Sequence, residues 1–261
     1  MTTSNDLLVH QADGIMTVTL NRPAQRNALT VALTNGLYEL WEQVDADDAV
    51  QVVVLASADC GTFCAGMDLR GAAEIKEREG RDVLTLIKDP FHARMRKVGK
   101  PIIAAMTGHF AAGGMMLGLN ADIRVGLAGT KGGITEARLG RGSPWGVPLV
   151  WMLPQPVLME MVLSGEMMPI ERLYDLGFVN YVEPTAEAVR ARALSLAERI
   201  RDNAPLSVRA GKKSILNAMS VGCDQGLIDA ARIYESVYAS EDAQEGPRAF
   251  SEKRAPVWIG R

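Results

Sequence analysis

The sequence predicts an α/β fold with parallel strands. Continuous apolar runs rich in β-branched residues occur at VVVLA (52–56) and PIIAAM (101–106), and a third spans residues 123–128. Runs of this kind are typical of strands that are buried on both faces. The segment GGMMLGLNAD (113–122) lies between the second and third runs and has helical apolar spacing after a glycine-rich start. The succession of strand, glycine turn, helix and strand indicates parallel strands connected by helices.

The first 50 residues predict a hairpin followed by an amphipathic helix. Two alternating runs between Leu7 and Leu20 flank Asp13-Gly14, and Asp-Gly between such runs is a strong hairpin signal. Apolar residues then recur at helical spacing from 33 to 44, with Thr30 at the position of an N-cap. We expect this helix to end near residues 47–48.

The rest of the chain predicts a polar insert and then helices almost to the end. Residues 69–88 are rich in Glu, Lys and Arg and weakly periodic, so we expect a helix-prone, mobile surface segment. After Pro156 the helical segments are VLMEMVLSG, PIERLYDLG, TAEAVRARALSLAERIRDN, APLSVRAGKKSILNAMS and CDQGLIDAARIYESVYAS, interrupted by one predicted strand, FVNYV (178–182). Segments after 203 have no strand to pack on. We therefore predict a core over 1–203 and a helical region over 204–261 that docks on the core or on another subunit.

Composition excludes several classes of protein. With 48% hydrophobic residues and a formal charge of -3, the chain of 261 residues is not disordered throughout. It has no apolar run long enough for a membrane span, and the start, MTTSNDLLVHQADG, lacks the pattern of a secretory signal, so we expect a cytoplasmic protein. A pI near 5.7 disfavours nucleic acid as a partner. The spacing of Cys60, Cys64 and Cys223 fits no metal site, and free thiols are expected.

Two glycine-bearing segments, FCAGMD (63–68) and AAGGMM (111–116), are the candidates for a ligand site. Each follows a buried strand, and a chain entering a helix exposes unpaired N–H groups at the positive end of the helix dipole. Two such ends facing one another would bind an oxyanion. Alternatively, the glycines only permit tight turns. Neither segment matches a dinucleotide-binding or P-loop pattern.

An ordered series of motifs covers nearly the whole chain: TLNRPAQRNAL (19–29), VVVLASADCGTFCAGMDL (52–69), KPIIAAMTGHFAAGGMML (100–117), ADIRV (121–125), ITEARLG (134–140), LSGE (163–166), LGFVNYV (176–182) and EGPRAFSEKRAP (245–256). The series resembles the crotonase, or enoyl-CoA hydratase/isomerase, superfamily. The resemblance implies a spiral of ββα units with a C-terminal helical region that trimerises, usually into a hexamer made of two trimers. It also implies lyase or isomerase chemistry on an acyl-CoA substrate. No separate cofactor is expected, because coenzyme A is part of the substrate.

The resemblance also implies residue roles. Two backbone N–H groups hold the thioester oxygen in this superfamily, and by motif position they belong to Met67 and Gly113. Coenzyme A contacts carry over as follows: the backbone of Ala65 near the adenine, Arg70 where relatives place a phosphate-binding lysine, Arg26 at the pantetheine or phosphate end, and Phe250 with Lys253 presented to the ligand of a neighbouring subunit.

One departure from the superfamily pattern bears on the reaction. Hydratases of this superfamily use two glutamates, whereas this chain has Met116 at the first position and Glu136 at the second. A thioether can neither give nor take a proton, so Glu136 is expected to be the single acid/base. One carboxylate favours movement of a double bond, with Met116 as part of a dry wall. Hydration remains possible, and a CoA-thioester hydrolase, a decarboxylase and an inactive scaffold are the alternatives.

Three further residues near these motifs have more than one possible role. Asp68 is expected to act structurally, as a turn or cap residue. His109 is expected to be a packing residue rather than a proton donor. Trp145 either walls the acyl pocket, which would suit a bulky or cyclic acyl group, or packs in the core; the sequence leaves both open.

Overall fold

A computed structural model describes residues 5–261; the first four residues, which begin the N-terminal stretch considered above and the predicted core, lie outside the described part. A six-stranded sheet has the order β1-β2-β3-β5-β7-β10, and a four-stranded sheet has the order β4-β6-β8-β9. The strands are β1 Leu7–Ala12, β2 Ile15–Leu20, β3 Val52–Ser57, β4 Thr62–Cys64, β5 Ile102–Met106, β6 His109–Ala111, β7 Ile123–Leu127, β8 Lys131–Gly133, β9 Met168–Pro169 and β10 Tyr181–Glu183. The helices are α1 Val31–Ala46, α2 Leu69–Glu79, α3 Gly113–Asn120, α4 Gln155–Ser164, α5 Ile170–Asp175, α6 Ala186–Arg201, α7 Pro205–Val221, α8 Cys223–Tyr238 and α9 Glu241–Glu252.

The predicted hairpin and first helix are confirmed. β1 and β2 pair antiparallel through a two-residue turn in which Asp13 and Gly14 both have left-handed backbone angles, as a tight hairpin requires. The Thr30 side chain accepts a hydrogen bond from the Leu33 N–H and begins α1. The helix ends at Ala46, and Asp47 follows as its C-cap.

A long strand, a short strand and a helix recur along the chain. β3, β5 and β7 pair in parallel within the large sheet, and the short strands β4, β6 and β8 that follow them pair in parallel within the small sheet. Helix α2 follows β4 and helix α3 follows β6. This repetition is the spiral of ββα units expected above. The short strands have only three residues each, and the sequence patterns did not predict them.

The large sheet separates two hydrophobic clusters. On one face, α6 buries Val189, Ala193 and Ala197 against side chains of β3, β5 and β7. On the other face, a larger cluster joins α1, α3, the small sheet and α5. The alternation of side chains along buried strands explains the two faces, since successive residues of β3 point to opposite clusters.

The strand predicted at 178–182 is shifted toward the C-terminus. Only Tyr181–Glu183 pairs with β7, whereas Phe178 and Val179 are buried outside any strand. Their N–H groups donate to the Leu173 carbonyl at the end of α5, so they are not available to a strand partner. The apolar run therefore predicts correctly that these residues are buried, but it places the strand too early in the chain.

The C-terminal helices form the predicted helical region. α7 and α8 pack on each other, and α9 follows after Ser240. Lys212 of α7 donates to the Asp122 carboxylate at 2.8 Å and to the Lys100 carbonyl at 2.9 Å, which attaches this region to the large sheet. Several large apolar side chains of the region are exposed in the single chain: Ile215, Leu227, Ile228, Tyr238 and Phe250. None of the helices formed by residues 5–261 has the length and apolar run that a bilayer span requires.

Candidate functional site

A cavity of about 450 Å³ lies between the N-terminal end of α3, the segment that follows β4 and the chain around Glu136. Its walls are mostly apolar. The lining residues are Leu29, Ala65, Met67, Leu69, Ala72, Val83, Leu84, Ile87, Asp89, Phe91, Ala112, Gly113, Met116, Thr135, Glu136, Leu139, Arg141, Gly142, Pro144 and Trp145. The structure thus brings six of the residues singled out in the sequence to one cavity, namely Ala65, Met67, Gly113, Met116, Glu136 and Trp145.

The Met67 N–H is free to bind a ligand. Met67 bridges to Leu29 in parallel, and this bridge uses the N–H groups of Leu29 and Asp68, which form bonds of 2.8 and 2.9 Å. In a parallel bridge of this type the N–H of the bridged residue itself, here Met67, points away from the partner segment around Leu29. Within residues 5–261 the Met67 N–H makes no hydrogen bond.

The Gly113 N–H belongs to the first residue of α3 and has no intrahelical partner. A β-carbon built on Gly66 would lie 3.2 Å from the Gly113 nitrogen, so the turn before Met67 sits against the start of the helix. A β-carbon at Gly114 would lie 2.2 Å from the Cys64 carbonyl oxygen, and only glycine permits this approach. The two free N–H groups are therefore held by close backbone packing.

Ala112, immediately before α3, has φ 50° and ψ -114°. This left-handed region is costly for a residue with a β-carbon, and such strain concentrates at functional sites. Its N–H donates to the Gly133 carbonyl at 3.2 Å, and its carbonyl accepts from the Met116 N–H at 2.9 Å. These bonds hold the strained turn that directs the start of α3 toward the cavity.

Glu136 begins a single 3-10 turn, Glu136–Leu139, and its carboxylate reaches the cavity. Oε1 accepts a hydrogen bond from the Trp145 indole Nε1–H at 3.0 Å. Oε2 is shielded from solvent and has no partner among the residues that the structure describes. Burial raises the pKa of the carboxyl above its usual value, against hydrogen bonds from its own N–H, the Trp145 indole and the Thr135 N–H. A carboxylate with one free, buried oxygen is suited to proton transfer.

The second carboxylate in the cavity wall is already engaged. Asp89 accepts hydrogen bonds from the N–H groups of Phe91, His92 and Ala93 at 2.8, 3.2 and 3.1 Å. Met116, which the motif resemblance aligns with the first glutamate of hydratases, lines the cavity with an apolar thioether. Among the carboxylates of residues 5–261 that line the cavity, only that of Glu136 has an oxygen without a hydrogen-bond partner.

The polar insert forms part of the cavity wall. α2 is the predicted helix, and a 3-10 turn, Val83–Thr85, follows it. Val83 is buried, and Val83, Leu84 and Ile87 all line the cavity. Arg141 Nη1 donates to Asp82 Oδ2 at 2.8 Å and links this wall to the chain that follows Glu136. The buried side chain was not expected from the polar composition of the insert.

The residues proposed to contact coenzyme A divide into two groups. Ala65 lines the cavity, and its N–H donates to the Arg26 carbonyl at 3.2 Å, so Arg26 lies beside the Ala65 backbone. The side chains of Arg26 and Arg70 are exposed and do not line the cavity. Phe250 and Lys253 lie at the end of α9, exposed and outside the cavity of their own chain.

Asp68 and His109 have structural partners. Asp68 is the N-cap of α2, and its carboxylate accepts from the Gly71 N–H at 3.1 Å and from Arg22 at 3.0 Å. Burial alone would raise its pKa, but these donors hold the pKa of Asp68 below its usual value. His109 is exposed, and its Nδ1 accepts from the Lys131 N–H at 2.9 Å. The cap role expected for Asp68 is confirmed, and His109 does not line the cavity.

None of the three cysteines is part of a disulfide. Cys60, Cys64 and Cys223 are free, as expected. Cys64 is fully buried beneath the turn at Ala65-Gly66, and burial raises the pKa of its thiol to about 12. Across residues 5–261, no three His, Cys, Asp or Glu side chains lie close enough together to hold a metal ion.

Sequence reasoning missed the contact between Trp145 and Glu136. The two residues are nine positions apart, in separate 3-10 turns joined by residues 140–143. No periodicity predicts such a contact, because irregular turns have no fixed side-chain spacing. The available signal was the aromatic residue after Pro144, for which the sequence left open a pocket wall or a packed core residue.

Comparison with known proteins agrees with these features. The family model described as enoyl-CoA hydratase/isomerase matches residues 10–261. Enoyl-CoA hydratase EchA19 of Mycobacterium tuberculosis is 34% identical over 260 residues, which cover 98% of this chain and 97% of the relative. The (E)-benzylidenesuccinyl-CoA hydratase of Thauera aromatica is 34% identical over 255 residues, 93% of this chain and 94% of the relative.

Solved structures also match this chain over nearly its whole length. The crystal structure of an enoyl-CoA hydratase from Mycobacterium tuberculosis has a TM-score of 0.87 and 35% identity, covering 99% of this chain and all of that one. An enoyl-CoA hydratase from Bacillus anthracis has a TM-score of 0.91 and 29% identity, covering 98% of this chain and 100% of the other. The crotonase-like fold expected from the motifs is confirmed. The chain belongs to the enoyl-CoA hydratase/isomerase family of enzymes.

Proposed function

We propose that this enzyme moves the double bond of an enoyl-CoA, with Glu136 as its single acid/base. The observation that supports the proposal is the carboxylate inventory of the cavity. Glu136 has a buried, unpartnered Oε2, whereas Asp89 is held by three backbone N–H groups and Met116 has no proton to exchange. A reaction that needs one acid/base at one place is the simplest that this cavity supports.

In the proposed reaction, Glu136 Oε2 removes a proton from C2 of a 3-enoyl thioester. The electrons of the broken C–H bond form a dienolate, and its negative charge is carried by the thioester oxygen between the N–H groups of Met67 and Gly113. The same carboxyl then returns the proton to C4, and the double bond comes to lie between C2 and C3. Removing one such oxyanion donor typically costs on the order of 10² to 10³ in rate.

The apolar walls favour this reaction. A carboxylate in a dry cavity is a stronger base toward a C–H proton because it is less well solvated. Met116, Leu139 and Pro144 contribute apolar surface around Glu136. A cavity with few polar groups also offers few partners to hold a second reactant such as water.

Hydration is the second candidate, and the names of the relatives favour it. Both curated relatives described above are called hydratases. In that reaction Glu136 would take a proton from a water molecule whose oxygen adds to C3, and the same carboxyl would then deliver that proton to C2. The relative that acts on a benzylidenesuccinyl group also suggests that an aromatic acyl chain could be accommodated beside Trp145.

The proposal extends to the position of coenzyme A and to the assembly of subunits. We place the coenzyme A moiety along the Ala65 backbone, with its phosphates near Arg26 and Arg70. Phe250 and Lys253 would complete the site of a neighbouring subunit, with residues 204–261 as the oligomerisation region of a homotrimer or a hexamer made of two trimers. The exposed apolar side chains of α7, α8 and α9 support an interface at this region.

The test is conversion of 3-hexenoyl-CoA and crotonyl-CoA by the wild type and Glu136→Gln, followed by absorbance and mass. A new conjugated double bond without change of mass, lost in Glu136→Gln, is the expected result. Glu166→Gln is the matched control, because Glu166 is exposed and does not line the cavity.

Each other outcome identifies a different activity. A gain of one water from crotonyl-CoA that is lost in Glu136→Gln would identify the enzyme as a hydratase with one glutamate and not as an isomerase. Release of free CoA thiol would indicate a hydrolase. With a carboxylated thioester as a third substrate, loss of carbon dioxide would indicate a decarboxylase. Bound CoA without conversion of either thioester would indicate a different acyl group or a hydrolase, whereas weak or absent CoA binding would indicate a scaffold.

A further inference from the structure

We infer that Trp145 is a positioning residue that determines which oxygen of Glu136 exchanges protons with the substrate. This inference rests on the proposed acid/base role of Glu136 and adds a function to a side chain for which the sequence left open a pocket wall or core packing. Two observations carry it: the indole Nε1–H donates to Oε1 at 3.0 Å, and Oε2 is buried without a partner.

The chemistry of the indole explains the asymmetry. An indole N–H donates a hydrogen bond and cannot accept one. When Glu136 is protonated, a proton on Oε1 would compete with the Trp145 N–H, so the proton resides on Oε2. Departure and return of the proton therefore take place at the same oxygen. In a reaction that takes a proton from C2 and returns it to C4, one fixed oxygen serves both carbons.

Other charged groups near Glu136 are engaged elsewhere. Arg141 lines the cavity but pairs with Asp82, and Asp89 is held by backbone N–H groups. On the same turn as Glu136, Arg138 packs against the end of α4, where a β-carbon at Gly165 would lie 2.6 Å from its Cγ. Trp145 is therefore the side chain that directly orients this carboxylate in the described part of the chain.

The hydrogen bond also changes the acidity of Glu136. It stabilises the carboxylate and lowers the pKa of Glu136, opposite to the effect of burial. Without it the carboxylate protonates at higher pH. The base form would then be lost earlier as the pH falls, and the carboxyl group would be free to rotate.

The kinetic test compares Trp145→Phe with the wild type over a range of pH. Phenylalanine keeps an aromatic wall and removes the donor. We expect kcat to fall about tenfold, which is the effect of losing one hydrogen bond to a charged group, with a smaller change in KM. The acidic limb of the kcat profile should move to higher pH. Trp151→Phe is the control, because Trp151 follows in the same turn and is exposed.

A steric wall would behave differently. If Trp145 only shapes the pocket, Trp145→Phe will change KM according to the size of the acyl group and leave the pH profile where it is in the wild type. That result would overturn the inference while leaving the role of Glu136 intact. Retention of activity in Glu136→Gln would instead overturn the proposed function.

An independent readout needs no activity. The chain has four tryptophans, so single Trp→Phe variants at the other three positions assign the Trp145 indole N–H resonance of the ¹⁵N-labelled protein by elimination. We expect the Trp145 Nε1–H resonance to move with pH in the wild type and to stay constant in Glu136→Gln. A Trp145 Nε1–H resonance that stays constant with pH in the wild type would show that the hydrogen bond to Glu136 does not form. That result would overturn the inference even if Trp145→Phe failed to fold.

Discussion

Glu136 combines a useful base with a cost to folding, because its carboxylate is partly removed from water. A carboxyl whose pKa is raised in the folded state binds more protons there than in the unfolded chain. The contribution of Glu136 to the free energy of unfolding is therefore most favourable at low pH, and it decreases as the pH rises through the raised pKa of the folded state. The residue that performs the proposed chemistry is thus one that folding alone would not favour.

Glu136→Gln should therefore stabilise the protein near neutral pH while it abolishes activity. We expect its melting temperature to exceed that of the wild type by a few degrees at most. The difference should disappear below about pH 4, where the carboxyl is protonated in both states. Calorimetry at the two pH values measures this, with Glu166→Gln as the control. Equal melting temperatures at neutral pH would contradict the argument.

Gly114 is the residue at which the backbone of the site is least tolerant of change. Gly114→Ala would place a β-carbon 2.2 Å from the Cys64 carbonyl oxygen, and α3 would have to move. We expect a loss of about 3 kcal/mol of stability and of most activity, since the Gly113 N–H moves with the helix. Urea unfolding and the conversion assay measure the two effects.

Gly36 provides the comparison for that variant. It lies inside α1, and a β-carbon there would meet only the Leu7 side chain at an ordinary 3.7 Å. Gly36→Ala should therefore stabilise the protein by roughly 0.5–1 kcal/mol through helix propensity. Equal effects of the two substitutions would show that Gly114 is not held by the contact described here.

Among the elements, the wall formed by α2 and the turn Val83–Thr85 has few attachments to the rest of the site. The ion pair between Arg141 and Asp82 is one of them, and both side chains are considerably exposed. An exposed pair contributes little to global stability. It can still hold a local segment, because the segment's own opening requires much less free energy than global unfolding.

Arg141→Ala should therefore leave the free energy of unfolding almost unchanged and loosen this wall. Hydrogen exchange should become faster over residues 82–88, and KM for the acyl-CoA should rise several-fold because Val83, Leu84 and Ile87 line the cavity. Arg172→Ala, which removes the exposed pair with Glu160, is the control. Unchanged exchange in Arg141→Ala would assign the order of this wall to packing alone.

Elements with a strong periodic pattern could be predicted from the sequence, whereas very short ones could not. The hairpin at Asp13-Gly14 and the helix capped by Thr30 carry local signals that the structure reproduces. The strands of the small sheet have two or three residues, too few for any alternation to be detected. The candidate site shows the same division: Glu136 was found through its motif, and its hydrogen bond to Trp145 depends on how two irregular turns pack.

At the scale of the whole molecule, the C-terminal region has more apolar surface than a single chain covers. Deleting residues after Ser240 removes α9, including Phe250 and Lys253. If these residues complete a neighbour's site, the truncated protein should form smaller assemblies and bind CoA more weakly. Sedimentation and calorimetric titration with CoA measure both properties.

The full-length variant Phe250→Ala/Lys253→Ala is the control for that truncation. Both side chains are exposed in the single chain, so their loss should not disturb the helix itself. This variant should keep the assembly and lose part of the CoA affinity. A monomeric truncation with unchanged CoA binding would contradict the shared site.

The position of Cys64 has a consequence for how the enzyme withstands oxidants. Electrophiles and peroxides attack thiolates, and a buried thiol with a pKa of about 12 is almost entirely protonated at neutral pH. Cys60 and Cys223 are exposed, so oxidants reach these two thiols first. The Cys64 sulfur beneath the turn at Ala65-Gly66 is therefore protected from oxidants by the fold itself, whereas the exposed Cys60 thiol has no such protection.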